Sequence, residues 1–354
     1  MLLVTTWFGS FLLDDGKVVR AAPFPRDPEA IADRMLRVED WKVLDEERDL
    51  VRGLDEFFVI EARLERRAGG RSTSEKPPFL RPEDFGFDRT MLHAAMLALG
   101  RRRMRRAVGP DDHLRQAVAA IDDFQETENL LLERLREWYG LHFPELARTA
   151  DEATYLDLIT TYGTREAMPI EARESVGAPL GPAEVEAVQS LASLVQETRE
   201  RRAASEVYAE RAAKDRAPNV AHLAGPLLGA RLVSLAGGVQ DLGRLPASTI
   251  QLLGAERALF RHLRDHKLPP KHGVLFQHPL IHRAPRWQRG AIARAFAGKL
   301  AIAARADAYT QRFIADALKV ALERSLASIR DRKAEAPVAQ KKKGRRQKAA
   351  RGKR

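Results

Sequence analysis

The sequence predicts a mainly α-helical protein with a small α/β domain at its N-terminus. Charged residues make up 31% of the chain and aromatic residues only 6%, a balance that favours solvated helices over a compact β fold. Helical apolar spacings dominate the middle and the C-terminal half, whereas strand patterns are confined to the N-terminal part. At 354 residues the chain has room for two or three domains.

We expect the α/β domain to span residues 1–105. Apolar runs on both sides of Asp15-Gly16 predict a β-hairpin, and Asp27 followed by Pro28 predicts the start of a helix. Three further segments have readable patterns: a strand over 57–65, a helix over 91–99 and an arginine run over 101–106. The arginine run is either an RNA-facing strip or a solvated helix end, with a slight preference for the second.

Residues 111–217 predict two long helices that form an antiparallel hairpin. The second helix begins after Gly181-Pro182, and the first has apolar residues at spacings of four and three around one acid, Glu128. The predicted dimerisation seam consists of Ala117, Ile121, Phe124, Leu131, Leu135 and Trp138. This seam is covered either within the hairpin or by a second copy of the chain, and the sequence does not decide between the two.

The net charge of the chain is distributed very unevenly. Residues 219–332 contain eighteen Lys and Arg against seven acids, and residues 333–354 contain ten against one, so the remainder of the chain is acidic. The tail, 333–354, has few apolar residues and predicts disorder, but the basic excess also includes a predicted folded domain, 218–332. A basic folded half favours nucleic acid as the partner.

A metal site is the first alternative for the histidine-rich segment 259–279. Two histidine pairs have a spacing of four: His262 with His266, and His278 with His282. Pro279 interrupts any helix in the second pair, and the surrounding cations oppose a divalent ion. The sequence therefore disfavours a metal.

Catalysis is the second alternative. Asp265 is the single acid between Arg257 and Arg305, so no carboxylate pair is available for acid–base work. The chain has no cysteine, which excludes disulfides and thiolate sites and fits a reducing compartment. No Walker or dinucleotide-binding pattern is present, and no stretch is apolar enough for a membrane span. Anion binding is the function that these exclusions leave for the segment. The alternative is a solvated basic face that binds no ligand.

Residues 254–307 closely resemble the signature of the Nop domain, which is found in the core scaffold protein of box C/D ribonucleoproteins. The matching elements are GAERALF at 254–260, PPKHG at 269–273 and FQHP at 276–279. Two other segments extend the resemblance, 217–256 and LREWYGLHFPEL at 135–146. The chain is similar to the compact, archaeal form of this Nop56/Nop58-like family.

The resemblance implies a scaffold that is not an enzyme and needs no cofactor, because the methyltransferase activity lies in the partner fibrillarin. It implies four partners: a box C/D guide RNA that directs 2′-O-methylation, fibrillarin on the N-terminal domain, a small ribosomal-type kink-turn-binding protein, and a second copy through the coiled coil. The protein would be cytoplasmic in an archaeon and nucleolar in a eukaryote, with no membrane partner.

The resemblance and the charge pattern together assign the RNA contacts. The predicted set is Arg257, Arg261, Arg264, Lys271, His272, Gln277, Arg283, Gln288, Arg289 and Lys299. Arg257 stands where the family usually has lysine, and Arg286 where tryptophan is common. Five neighbouring apolar residues are expected in the core: Leu259, Phe260, Val274, Leu275 and Phe276.

Three other functions stay open at this point. The closest is a spliceosomal-type Nop-domain protein that binds snRNA. The others are a nuclease or transferase that uses the histidines, and a purely structural coiled-coil adaptor. For the tail after Arg332, we expect sequence-independent phosphate contacts, so its deletion should lower the affinity for cognate and scrambled RNA alike.

Overall fold

The computed structural model describes residues 1–169, 175–265 and 268–334. The chain divides into two compact units, Met1–Gly109 and Pro110–Arg354. The first contains a small mixed sheet with four helices, and the described part of the second is helical, so the predicted fold class is confirmed. Among the described residues, no helix is long and apolar enough to cross a membrane.

The first unit contains a five-stranded sheet in the order β3-β2-β1-β4-β5. Its strands are β1 Leu2–Thr6, β2 Gly9–Asp14, β3 Lys17–Pro23, β4 Phe58–Val59 and β5 Arg71–Ser72. The first three are antiparallel neighbours, whereas β4 runs parallel to β1 and to β5. Asp15 and Gly16 both have positive φ, 45° and 75°, so the hairpin predicted around them forms.

Four helices pack in the same unit: α1 Pro28–Glu39, α2 Asp45–Val51, α3 Ala62–Ala68 and α4 Arg89–Ala107. The predicted helix start is confirmed, because the carboxylate of Asp27 accepts a hydrogen bond from the backbone N–H of Ala30 at 2.9 Å. The strand predicted over 57–65 is wrong beyond Val59. Its second half becomes α3, because Arg63 in this segment pairs with the buried Glu47 of α2.

A buried ion pair explains why α3 turns inward. Glu47 is 0% exposed and Arg63 is 4% exposed, and the two side chains form a two-pronged salt bridge. Glu47 also accepts hydrogen bonds from the hydroxyl of Thr5 at 2.5 Å and from the backbone N–H of Leu44 at 2.8 Å. Because both oxygens of this carboxylate have donors, its burial is tolerated.

The arginine run of α4 is a contact between two helices of the first unit. Arg102 pairs with Glu29 and Asp33 of α1, at 2.8 and 3.2 Å. Two further pairs extend this contact, Arg103 with Glu39 of α1 and Arg106 with Asp40, which directly follows α1. These arginine side chains are therefore paired with carboxylates of the same unit. This pairing favours a helix end over an RNA-facing strip for the arginine run.

The second unit begins with the predicted hairpin, α5 Pro110–Tyr139 and α8 Pro182–Arg216. Two short helices lie at its closed end, α6 Leu146–Thr149 and α7 Glu152–Tyr162. The face of α5 that is buried consists of Leu114, Val118, Ile121, Glu128, Leu132, Leu135 and Tyr139. Glu128 pairs with Arg199 and Arg202 of α8 at 2.8 and 2.9 Å, so the one polar residue of the seam fixes the helix register.

This buried face differs in part from the predicted dimerisation seam. Ile121 and Leu135 are buried within the chain, and Ala117, Phe124 and Leu131 are partly buried. Trp138 lies on the outside of the hairpin and is 37% exposed. The hairpin therefore covers its own seam, and the predicted set as a whole does not form one free face.

Eight further α-helices lie in the described part of the second unit. They are α9 Pro218–Ala224, α10 Pro226–Ala236, α11 Val239–Arg244, α12 Ala247–Leu252, α13 Glu256–Asp265, α14 Pro279–His282, α15 Arg289–Arg305 and α16 Ala315–Arg332. The predicted boundary at 217/218 coincides with the junction of α8 and α9, yet one hydrophobic core joins Leu114 and Ala213 to Phe296 across it. The hairpin base and the C-terminal helices thus share a core.

Candidate nucleic-acid interface

The PPKHG segment forms a turn that is pressed onto α12. The backbone N–H of Gly273 donates to the carbonyl of Gln251 at 2.9 Å, and that of Val274 donates to the carbonyl of Leu253 at 2.7 Å. The side-chain amide of Gln251 donates to the carbonyl of Lys271 at 2.7 Å. A Cβ at position 273 would lie 1.9 Å from the carbonyl oxygen of Leu253, so this approach requires glycine. These contacts fix the turn against α12 and leave the side chain of Lys271 exposed.

A cation and two rings stack behind this turn. The rings of His272 and Phe276 lie parallel, with centroids 4.6 Å apart, and the guanidinium of Arg289 lies 5.2 Å from the Phe276 centroid. Arg289 also donates to the carbonyls of Ala284 at 2.9 Å and His282 at 3.0 Å. Burial lowers the pKa of His272, and the positive charges of Arg289 and Lys271 lower it further. His272 is therefore a neutral ring at pH 7.

His278 has a structural role. Its Nδ1 accepts a hydrogen bond from the backbone N–H of Leu280 at 3.2 Å, which caps α14, and its ring packs on Phe296 with centroids 4.6 Å apart. Burial lowers the pKa of His278, so this ring too is neutral. Over the described ranges, no group of three or more His, Asp or Glu side chains is placed to hold a metal. His266, which forms the first candidate pair with His262, lies outside those ranges.

The helix α13 presents three of the predicted contact residues, Arg257, Arg261 and Arg264, and all three belong to its solvent-facing surface. Arg264 pairs with Asp265 at 2.8 Å. The core prediction for Phe260 is wrong, because it is 67% exposed beside Leu263 at 63%. The physical reason is that α13 buries no residue at all, so its apolar side faces outward. Of the other residues predicted in the core, Leu275 is buried and Leu259, Val274 and Phe276 are partly buried.

The remaining predicted contacts are dispersed. Gln277 and Arg283 are exposed, and Lys299 is partly buried on α15. Gln288 is 6% exposed, and its amide donates to the carbonyl of Lys333 at 2.8 Å. The side chain of Gln288 is therefore buried and already has a hydrogen-bond partner inside the domain.

A groove beside the turn contains cations that the sequence reasoning did not select. Its lining includes Leu268, Pro269, Pro270, Lys271, Trp287, Arg294 and Lys333. Arg294 is exposed, and it lies on α15 five residues after Arg289. The position of Arg294 within the basic C-terminal half could have indicated it as a contact residue. No pattern in the sequence predicts that Lys333 lies in this groove.

Exposed cations without a carboxylate partner distinguish this region. Within the described ranges, no ion pair engages Arg257, Arg261, Lys271, Arg283 or Arg294. Unpaired cations on helices and on the PPKHG turn, with exposed rings and apolar side chains between them, suit the phosphates and bases of a nucleic acid. By its fold the protein belongs to the mainly helical class with a small α/β domain, and this surface of it is basic.

Comparison of the sequence with known proteins assigns the chain to a family. The Nop family, described as "snoRNA binding domain, fibrillarin", matches residues 120–328. The chain is 45% identical over 233 residues to an uncharacterised NOP5 family protein of Methanocaldococcus jannaschii, which covers 61% of this chain and 56% of that protein. It is 35% identical over 264 residues to nucleolar protein 58 of Scheffersomyces stipitis, which covers 68% of this chain and 51% of that protein. The chain belongs to the Nop family and is Nop56/Nop58-like.

The chain spans about half the length of the curated relatives it matches. A chain in a crystal structure of a fibrillarin/Nop5p complex superimposes with a TM-score of 0.42 at 23% identity, covering 93% of this chain and 100% of that one. The family assignment rests on the sequence matches.

Proposed function

We propose that this chain is a non-catalytic scaffold of a box C/D guide ribonucleoprotein, and that its C-terminal helices bind a kink-turn RNA together with a small kink-turn-binding protein. The observation that carries the proposal is the set of exposed, unpaired cations on α13, on the PPKHG turn and on α15. Membership of a family described by snoRNA binding supports the same reading.

Nine of the ten predicted RNA contacts stay in the proposal, and Gln288 leaves it. Lys271, Arg257 and Arg261 bind phosphates, because they face solvent and no carboxylate neutralises them. Arg289 and His272 act differently. Their stack on Phe276 holds the turn in place and offers a flat, neutral ring to a base or sugar edge.

The test is a gel-shift titration of the full chain on a kink-turn RNA at fixed salt, with and without the small kink-turn-binding protein. We expect tight binding to the preformed RNA–protein complex and weak binding to the RNA alone. Equal and weak binding to every RNA would reduce the basic surface to a non-specific polyanion site and would contradict the proposal.

For the first unit we propose fibrillarin as the partner. The support is the family description, which names fibrillarin, and exposed apolar side chains on the unit such as Val19 at 53%, Trp41 at 45% and Phe79 at 85%. Size-exclusion chromatography of the full chain mixed with fibrillarin should show a single complex. Separate elution at micromolar concentration would count against this partner.

We also propose that the hairpin binds a second copy of the chain. Since α8 already covers the seam, the second copy contacts the outer faces, where Leu130 is 64% exposed, Trp138 37% and Leu194 48%. Sedimentation equilibrium should give a dimer mass for the wild type and a monomer mass for Leu130→Lys/Leu194→Lys. An unchanged dimer in that variant would place the contact elsewhere.

A further inference from the structure

One stripe of side chains stays exposed along α15 and continues into the turn of π-helix that follows it, Ala306–Thr310. The stripe consists of Arg294, Ile302, Arg305 and Tyr309, all of them exposed. At about 100° per residue, these side chains fall within about 80° of one another around the helix axis. At a rise of about 1.5 Å per residue the stripe is about 20 Å long.

The α15 stripe begins in the groove of the proposed RNA surface. Arg294 lines that groove together with Lys271. Within the described ranges, neither Arg294 nor Arg305 has an ion-pair partner, so both keep their charge. The stripe therefore extends the basic surface away from the PPKHG turn, over about 20 Å, to Tyr309.

The far end of the stripe has an unusual backbone. The helix widens into a turn of π-helix over Ala306–Thr310, and Gln311 directly after it has a φ of 54°, in the left-handed region although it is not a glycine. Both features cost free energy, and they persist where the surrounding structure holds them in place.

A buried polar network holds this turn. The carboxylate of Asp307, which is 6% exposed, accepts hydrogen bonds from the backbone N–H groups of Asn219 and Val220, both at 3.0 Å. The side-chain amide of Asn219 donates to Asp307 at 2.6 Å and to the carbonyl of Arg312 at 2.9 Å. Its oxygen accepts from the backbone N–H of Ile314 at 2.6 Å. The start of α9 thus fixes the chain on both sides of Gln311.

This turn presents an aromatic ring to solvent. Tyr309 is 58% exposed, and one edge of its ring lies against α11, where a Cβ added at Gly243 would be 3.6 Å from its Cε2 atom. The single acid of α11, Asp241, is paired with Arg244 at 2.9 Å. The ring is therefore supported from below, and the nearest acid of that helix is already neutralised.

We infer that the α15 stripe binds a single-stranded segment of RNA next to the kink turn, with a base stacked on Tyr309 and phosphates bound by Arg294 and Arg305. Unpaired bases offer free ring faces, which a duplex has already stacked. An exposed tyrosine also suits a protein partner, but two unpaired arginines on the same stripe and its continuity with the groove favour a polyanion.

The inference rests on the proposed function, to which it adds a second contact for unpaired nucleotides. A strand with a spacing of about 3.4 Å per nucleotide covers the stripe with about six nucleotides. The base on Tyr309 should therefore lie about six nucleotides from the kink turn.

The test compares kink-turn RNAs that differ only in unpaired nucleotides at one end. The full chain, with the small kink-turn-binding protein, is titrated with RNA that has no extension, about two nucleotides or about eight, and each end is extended in a separate RNA. About two nucleotides are too short to reach Tyr309 and about eight are long enough. We expect the long extension at one of the ends to raise the affinity about 5- to 100-fold, and the short one to give much less.

The ring is tested by Tyr309→Ala, which should remove most of the gain from the long extension and leave the affinity for the unextended RNA within about twofold of the wild type. Tyr309→Phe keeps the ring and should keep the gain. The matched control is Tyr162→Ala, which removes another exposed tyrosine, at the end of α7, and should also keep the gain. Circular dichroism checks that each variant is folded.

The outcomes separate the inference from the proposed function. Tight binding of the unextended RNA with no gain from either long extension would overturn the inference and leave the proposed function intact. An equal loss in Tyr309→Ala for unextended and extended RNA would also overturn it, because the ring would then contact the kink turn or its small binding protein. Weak binding of every kink-turn RNA, extended or not, would overturn the proposed function itself.

A cleavage probe locates the contact. The chain has no cysteine, so Thr310→Cys, beside Tyr309, can be labelled singly with iron–EDTA. We expect cuts in the long extension, centred about six nucleotides from the kink turn. Cuts confined to the kink turn would contradict the inferred path along α15.

Discussion

In α4, Arg102 and Arg103 meet carboxylates of α1 and Arg106 meets Asp40 directly after it, whereas in α13, Arg257 and Arg261 meet none in the described part of the chain. Both helices are rich in arginine, so composition does not separate them. The separating property is whether a neighbouring helix of the same unit supplies acids. An arginine with its own carboxylate is neutralised and contributes to packing, and one without a carboxylate keeps its charge for a partner.

The largest effect is expected where a paired arginine is also buried. Arg63→Met leaves the carboxylate of Glu47 at 0% exposure without its cation, so the first unit should lose about 3–5 kcal/mol in its free energy of unfolding. Urea denaturation followed by circular dichroism measures this loss. The double variant Glu47→Gln/Arg63→Met should recover part of it, and a loss below about 1 kcal/mol in the single variant would show that the pair is not buried as described.

The second effect concerns how the unpaired cations are presented. Gly273→Ala places a methyl group against the carbonyl of Leu253, so the PPKHG turn must shift, at a cost of about 1–3 kcal/mol. RNA affinity should fall although no charge has changed. The matched control is Gly298→Ala, where an added Cβ meets nothing within 4 Å. Unchanged RNA affinity in Gly273→Ala would mean that the position of the turn does not matter.

A smaller effect is expected from an exposed pair. Arg102→Gln removes salt bridges to Glu29 and Asp33 from a side chain that is 31% exposed, so after allowance for solvent screening the loss is about 0.5–1 kcal/mol. Thermal unfolding in low and in high salt measures it, and the difference from the wild type should shrink in high salt. A change in RNA affinity would contradict the assignment of this run to packing.

The smallest effect is on the titration of His272. Its pKa lies below the ordinary value of 6.5 because of burial first, and then because of the charges of Arg289 and Lys271. Lys271→Gln removes one of those charges, so the pKa should move back towards 6.5 in an NMR titration. An unmoved or lower pKa would show that Lys271 does not act on this ring.

The sign of the accompanying stability change follows from linkage. Because the pKa of His272 is lowered in the folded state, the unfolded state binds more protons as the pH falls through 6.5. The stability contributed by the neutral ring is therefore complete above 6.5 and is lost as the pH falls towards the lowered pKa. Unfolding at pH 7.5 and pH 5.5 should show this loss, with His278 acting in the same direction.

Local patterns were sufficient to predict the Asp15-Gly16 hairpin, the Asp27 cap and both long helices. The predictions failed where contacts between distant segments determine the local structure or the burial of a residue. Residues 62–65 became helix, since Arg63 is held by Glu47 from another helix, and the buried face of α5 is set by its contact with α8. Phe260 is outside the core because α13 buries none of its residues in the described part of the chain, which hydrophobicity alone does not reveal.

The same limit applies to the candidate site. Charge and resemblance identified Lys271, His272 and Arg289, and the structure brings His272 and Arg289 together around Phe276. They did not identify the buried role of Gln288 or its bond to Lys333, since a contact between residues 45 positions apart has no local signature.

The most direct measurement of the central claim compares two variants with the same change in charge. Lys271→Gln/Arg294→Gln removes two unpaired cations and Arg102→Gln/Arg106→Gln removes two paired ones, and each is titrated against a kink-turn RNA with its small binding protein at two salt concentrations. The account predicts that the first variant loses affinity and that its log–log salt slope falls by about 1.4–1.8, while the second stays within about twofold of the wild type. Equal losses in both variants would contradict it, because net charge and not the unpaired surface would then determine RNA binding.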